Sequence, residues 1–159
     1  MGNNKAKKVV AVSGGFDPIH LGHLCLLKEA RKLGDKLVVI INDDEWIQRK
    51  KGIAFMNEHE RAEIIREFEC VDRVYIDNSS GDDVSDALKV LKPDIFANGG
   101  DRKSEADIPE AKICSKLGIK MVFNVGGKKR RSSSKMLNRY CAYIIGGEVI
   151  KTIRDSIKK

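Results

Sequence analysis

Lys8–His23 reads KVVAVSGGFDPIHLGH, and its two halves behave differently. Lys8–Ser13 is a short β-branched run without polar alternation, which is how a parallel strand buried on both faces reads. Gly14 and Gly15 end it and let the backbone approach a ligand closely. Leu21–Leu33 then reads as a helix, with Leu24, Leu27, Ala30 and Leu33 on one stripe and Gly34 as its stop. A helix that opens after such a loop aims free N–H groups and the positive end of its dipole at the same place, which favours phosphate. His20 and His23 are three apart and share a face of the first turn, and Gly22 between them removes a side chain that would crowd the pocket. A lone histidine there would read as a surface residue. Two of the chain's three histidines, set beside Gly14-Gly15 and Asp17, read as an anion site.

The alternation continues outward from this segment. Strands are expected at Lys36–Ile41, Arg73–Ile76, Asp94–Ala97 and Ile119–Val125. Helices are expected from Asn57 to about Phe68, where Glu60 answers Asn57 in a capping box, and at Asp83–Leu91 and Pro109–Leu117. Ser134 onward reads as helical again, with a break at Gly146-Gly147. Strands alternating with helices of about ten residues predict an α/β fold. The expected architecture is a doubly wound, Rossmann-like parallel sheet of about five strands with helices on both faces. Residues 1–138 form the domain, and 139–159 form a helical extension of it. Glycine and polar residues gather at the strand ends, at Gly14–Asp17, Asn42–Asp44, Asn98–Arg102 and Gly126–Lys128. That is the edge where such sheets bind ligands.

Composition narrows the function further. At 159 residues the chain suits one core, and 42% hydrophobic with 33% charged residues describes a globular protein. Apolar runs such as Leu37–Ile41 are far short of the roughly 20 residues that span a bilayer. Met1–Lys8 is polar and basic, without a signal-peptide core, so a cytoplasmic protein is expected. Cys25, Cys70, Cys114 and Cys141 lie far apart in apolar stretches and read as buried, reduced thiols, with no metal site. The net charge of +7 suits an anionic partner, but only 6% of residues are aromatic. Phosphate-holding loops therefore explain the charge better than nucleic-acid binding. Trp46 and Phe55 read as packing residues, and His59 as exposed.

With those residues in place, the chain resembles the cytidylyltransferase-like nucleotidyltransferases from about Lys8 to Leu137. H-x-G-H after a strand that ends in G-x-F-D is the signature, matched by His20-Leu21-Gly22-His23. Further matches follow in order: Arg49-Lys50-Lys51-Gly52, Glu58-His59-Glu60-Arg61, Gly99-Gly100-Asp101 and Ser132-Ser133-Ser134. F-D-P-I-H is similar to the adenylyltransferases for nicotinate mononucleotide and phosphopantetheine. The later segments resemble glycerol-phosphate cytidylyltransferases and the heptose-phosphate adenylyltransferase domain. The base, in CTP or ATP, stays open.

The resemblance implies transfer of CMP or AMP from the triphosphate, held with Mg²⁺, to a phosphorylated small acceptor, with release of pyrophosphate. A sugar phosphate or alcohol phosphate is the first acceptor class. A mononucleotide giving a dinucleotide cofactor is the alternative, and a nucleotide-binding regulator without turnover is another. By the same resemblance His20, His23 and Lys51 are catalytic. Gly14, Gly15, Phe16, Gly22, Gly100, Asp101, Ser132, Ser133 and Ser134 hold the nucleotide. Asp17, Lys50 and Arg61 face the acceptor, although Asp17 could instead orient its loop. Lys50 and Lys51 also suit a plain solvated charge run, and the serines a plain helix cap. A homodimer is implied, with no nucleic acid or membrane among its partners.

Overall fold

The structure is a computed structural model that describes residues 6–99, 104, 108–127 and 131–157. Five strands form one parallel sheet: β1 (Val9–Gly14), β2 (Lys36–Asn42), β3 (Arg73–Asp77), β4 (Ile95–Gly99) and β5 (Lys120–Val125). Their order is β3-β2-β1-β4-β5. The chain winds outward from β1 through β2 to β3, then crosses back to add β4 and β5 on the other side. β1 is therefore central, paired with β2 from Val9↔Lys36 to Gly14↔Ile41 and with β4 at Val10↔Ile95. The topological switch lies between β1 and β4, where such folds open a crevice at the carboxyl ends of the strands.

The helices are α1 (Leu21–Arg31), α2 (Asp44–Lys51), α3 (Glu58–Arg66), α4 (Ser85–Leu91), α5 (Ala111–Leu117) and α6 (Ser133–Ile157). The apolar strands feed two cores. Val10, Val12, Leu37, Val39 and Ile41 pack with Leu27 and Ala30 of α1 and Ala62 and Ile65 of α3. Ala11, Ile40 and Phe96 pack with Ala87 and Leu88 of α4 and Cys114 of α5. Alternate residues of one strand thus serve opposite faces, which accounts for runs without polar alternation. The expected doubly wound sheet of five strands is present, with boundaries shifted by at most two residues. Asn57 and Glu60 form the expected capping box.

Three expectations need correction. α2 occupies a stretch whose sequence shows only a strand end and a lysine-rich segment. Ile47 is its one buried residue, so it has too little apolar periodicity to stand out. Its ends are nonetheless written in the sequence. Asp43 caps it through Trp46 N–H (2.7 Å), acidic residues open it, basic ones close it, and Gly52 ends it in the left-handed conformation. Second, α6 runs unbroken through Gly146 and Gly147. Each glycine costs a helix only about 1 kcal/mol, less than needed to end 25 residues. Third, the thiols are not uniformly buried: Cys114 is, Cys25 and Cys70 are partly covered, and Cys141 is exposed. No helix among the described residues is long and apolar enough to cross a membrane.

Candidate active site

A cleft of about 390 Å³ opens at the carboxyl edge of the sheet. The β1–α1 loop supplies Gly14, Gly15 and Phe16, and α1 supplies Gly22, His23 and Leu26. β4 and β5 end on it at Asn98, Gly99, Val125 and Gly126, and Arg131 with Ser132–Ser134 closes the far side. α1 and α6 both begin here, so two helix N-termini converge on one cavity. Converging N–H groups and positive helix ends suit a polyphosphate.

His20 is the N-cap of α1, and the two histidines cap each other. His20 Nδ1 accepts from the His23 backbone N–H (3.4 Å), and His23 Nδ1 accepts from that of His20 (3.3 Å). Their rings stack at 3.7 Å, only 7° from parallel. With both Nδ1 atoms accepting, each ring carries a proton on Nε2, at its outer end. Burial, reinforced by the charges of His20 and Lys51, pushes the His23 pKa down to about 3. His23 is thus a neutral donor through Nε2, with the His20 ring stacked on it. A Cβ on Gly22 would lie 3.0 Å from His20 Cε1, so glycine is what leaves room for the stacked ring. Phe16 meets the His23 ring edge-on at 5.0 Å and is buried despite a left-handed backbone (φ 51°). That conformation costs roughly 1–2 kcal/mol, which burial of the ring offsets.

A second group of contacts fixes the loop from below. Asp17 is buried, and its carboxylate accepts from the backbone N–H groups of Phe55 and Met56, both at 2.8 Å. Arg61 is fully buried. It donates to the carbonyls of Met56, Gly15 and Asn42 and pairs with Asp44 at 2.5 Å. Lys51 reaches over the loop and donates to the Asp17 carbonyl (3.1 Å). Although the residue is largely exposed, partial burial of its ammonium lowers its pKa; Asp17 opposes this and Arg61 adds to it.

A family described as cytidylyltransferase-like matches residues 11–153. The chain belongs to that family. The FAD synthase of Pyrococcus horikoshii is 36% identical over 143 residues, which is 87% of this chain and 95% of that protein. The bifunctional protein HldE of Helicobacter hepaticus is 41% identical over 99 residues, 61% of this chain but only 20% of that longer protein. A crystal structure described as the lipopolysaccharide core biosynthesis protein of Thermoplasma volcanium superposes with a TM-score of 0.64 at 34% identity, covering 79% of this chain and 98% of that one. The cytidylyltransferase-like chain is accordingly a nucleotidyltransferase.

Within this cytidylyltransferase-like site, His20, His23, Lys51, Gly14, Gly15, Phe16, Gly22, Ser132, Ser133 and Ser134 all line the cleft. Gly100 and Asp101 lie outside the described residues, as do Arg102 and the basic residues Lys128, Lys129 and Arg130. Two expected acceptor contacts, Arg61 and Lys50, are corrected, and of the two roles open to Asp17 the structure favours the second. Arg61 cannot reach a ligand, because its guanidinium is 0% exposed and engaged on four groups of its own chain. Asp17 orients the loop. Lys50 turns away to Asp82 (3.7 Å), since consecutive helical residues point to different faces. The Ser133 hydroxyl donates to the Pro18 carbonyl (2.9 Å), tying the start of α6 to the β1–α1 loop. Trp46 lines the cleft too, against its reading as packing. Only the recognition of α2 could have placed it beside Lys51.

Proposed function

We propose that the protein transfers AMP from ATP to the phosphate of flavin mononucleotide, giving FAD and pyrophosphate. The observation that carries the transfer is the convergence of two helix N-termini and two outward N–H donors, those of His20 and His23, on one cleft beside Lys51. The near end-to-end match to an FAD synthase supports adenine as the base and the flavin as acceptor.

An oxygen of the acceptor phosphate attacks the α-phosphorus of ATP. The new P–O bond forms as the bond to the β-phosphate oxygen breaks, and pyrophosphate leaves with the electron pair. The attacking oxygen is already anionic at neutral pH, so no general base is needed. In-line placement and neutralisation of the leaving charge are what the protein supplies. The histidine Nε2–H groups, the N–H groups of Ser133 and Ser134, and Arg131 serve the triphosphate. Lys51 holds the acceptor phosphate. Among the described residues no group of three metal-ligating side chains occurs. The cleft lining, with its hydroxyls, imidazoles and amides, fits a Mg²⁺ held chiefly by triphosphate oxygens and water, as that ion prefers. Bound there, Mg²⁺ would neutralise phosphate charge.

A sugar-phosphate acceptor is the second reading, favoured by the match to HldE. A cytoplasmic homodimer, without nucleic acid or membrane partners, completes the proposal on family resemblance. The test is direct. ATP, CTP, Mg²⁺ and either FMN or a heptose phosphate are combined in pairs, and pyrophosphate and adenylylated or cytidylylated product are measured. FAD from ATP and FMN alone supports the proposal. Turnover only with the sugar phosphate moves it to the second reading, and turnover only with CTP overturns the choice of base.

A further inference from the structure

α2 sends only two side chains into the cleft, Lys51 and Trp46. Trp46 enters beside Gly15 and Lys51 beside Asp17, on α2, which follows β2 on the opposite side of β1 from β4 and β5. Trp46 is held there on several sides. Its backbone N–H is spent on the Asp43 cap and its indole Nε1–H donates to the Asp82 carbonyl at 3.0 Å. Lys50 stands 5.9 Å from the ring centre and 3.7 Å from the Asp82 carboxylate, and Arg49 donates to the Gly81 carbonyl (3.3 Å). These contacts bind α2 to the 81–82 turn and fix the plane of the ring. A Cβ on Gly15 would come within 3.9 Å of the indole Cζ3; glycine leaves that edge of the ring uncovered. With the indole N–H already bonded, the ring offers the cleft an apolar surface and no hydrogen-bonding group.

We infer that Trp46 is the platform on which the acceptor's flat aromatic ring stacks while Lys51 takes its phosphate, so that this arm of the cleft selects an aromatic mononucleotide over a sugar phosphate. A sugar brings several hydroxyls that lose water on binding, and an arm made of one indole and one ammonium cannot satisfy them. An aromatic ring brings a π-face, and a fixed tryptophan is suited to it. The inference rests on the proposed function for the position of the nucleotide, which takes the β4–β5 side.

Trp46 is the only tryptophan in the chain, so its emission reports this arm alone. The full-length protein is titrated separately with FMN, with a non-hydrolysable ATP analogue and with a heptose phosphate. FMN binding to Trp46→Leu and Trp46→Phe is measured by equilibrium dialysis. We expect saturable quenching by FMN only, an FMN Kd raised about tenfold or more in Trp46→Leu, and a change within about threefold in Trp46→Phe. The KM for ATP should stay within twofold in both, and thermal melts identify a variant that has failed to fold. Equal FMN affinity in Trp46→Leu and the parent overturns the inference, as does quenching by the ATP analogue instead of FMN. Absence of FMN binding to the parent overturns it as well, and pyrophosphate release with ATP and a heptose phosphate would then leave nucleotidyl transfer standing. Trp46-dependent FMN binding without FAD formation from ATP sustains the inference and sinks the proposed reaction.

Discussion

Arg61 Nη1 stands 2.7 Å from the carbonyl oxygen of Gly15, joining the first turn of α3 to the loop that follows β1 across 46 residues of sequence. The same nitrogen donates to Asn42 at the end of β2 (2.8 Å), so one buried guanidinium gathers the ends of the two strands that begin the fold. The residue shapes the floor of the cleft without touching what binds there.

Replacing it should therefore act on stability first. Arg61→Met would leave the Asp44 carboxylate without its partner and three carbonyls without donors. Asp44 is itself 29% exposed, so the loss comes chiefly from buried carbonyls deprived of a donor, typically about 1–3 kcal/mol each. Urea unfolding should show a loss of that order, and a midpoint unchanged from the parent would refute the floor role.

The histidine pair should behave in the opposite way. His23→Ala removes one transition-state donor and half of the α1 cap, for about 1 kcal/mol of stability. Turnover should fall about 10²-fold or more, with the circular dichroism spectrum retained. Steady-state rates comparable to the parent's would exclude a role for His23 in the chemistry.

Gly22→Ala separates geometry from helix propensity. Alanine in a helix is favoured over glycine by about 1 kcal/mol, but its Cβ would press on the His20 ring, 3.0 Å from Cε1 and 3.1 Å from Nδ1. Thermal stability should hold or rise while kcat drops. A variant that keeps full kcat would show that the stacked arrangement is not needed.

Acid should weaken the fold through His23. Its folded pKa, about 3, lies below the ordinary value, because burial, then His20 and Lys51, disfavours its charge. The stability it confers is complete above the unfolded pKa of about 6.5 and is lost as pH falls toward the folded value. In His23→Asn the urea midpoint should decline less between pH 6 and pH 4 than in the parent; parallel declines would contradict this assignment.

Asp77 carries the opposite sign. Burial raises its pKa, Ser79 opposes the rise, and Asp86 and Asp43 add to it. The protonated form is thus the one the fold prefers, and its contribution is present below the unfolded pKa and lost as pH rises through the folded one. Asp77→Asn should raise Tm at pH 7 and change it little at pH 3. A lower Tm at pH 7 would mean that the hydrogen bond from Ser79 N–H (3.2 Å) outweighs the burial of charge.

Much of this protein is written locally, where backbone rules act over a few residues. Runs such as Val9–Val12 and Leu37–Ile41 can hardly be anything but buried strands, Asn57 with Glu60 opens a helix wherever the chain goes, and Gly118 ends one. The spacing of His20, Gly22 and His23 already contains the mutual cap, because three residues apart is one helical turn. What local spacing could not contain is which polar groups would turn inward. Arg61, Asp17 and Lys50 look alike in sequence as charged residues near a phosphate site. Only the packing of α3 beneath the β1–α1 loop makes Arg61 a buried tether, and only the 55–56 backbone claims the Asp17 carboxylate. Trp46 is the converse case. Its eight-residue helix has too little apolar pattern to be read, and its place in the cleft depends on Asp82, 36 residues away, which tertiary folding alone brings to its indole N–H.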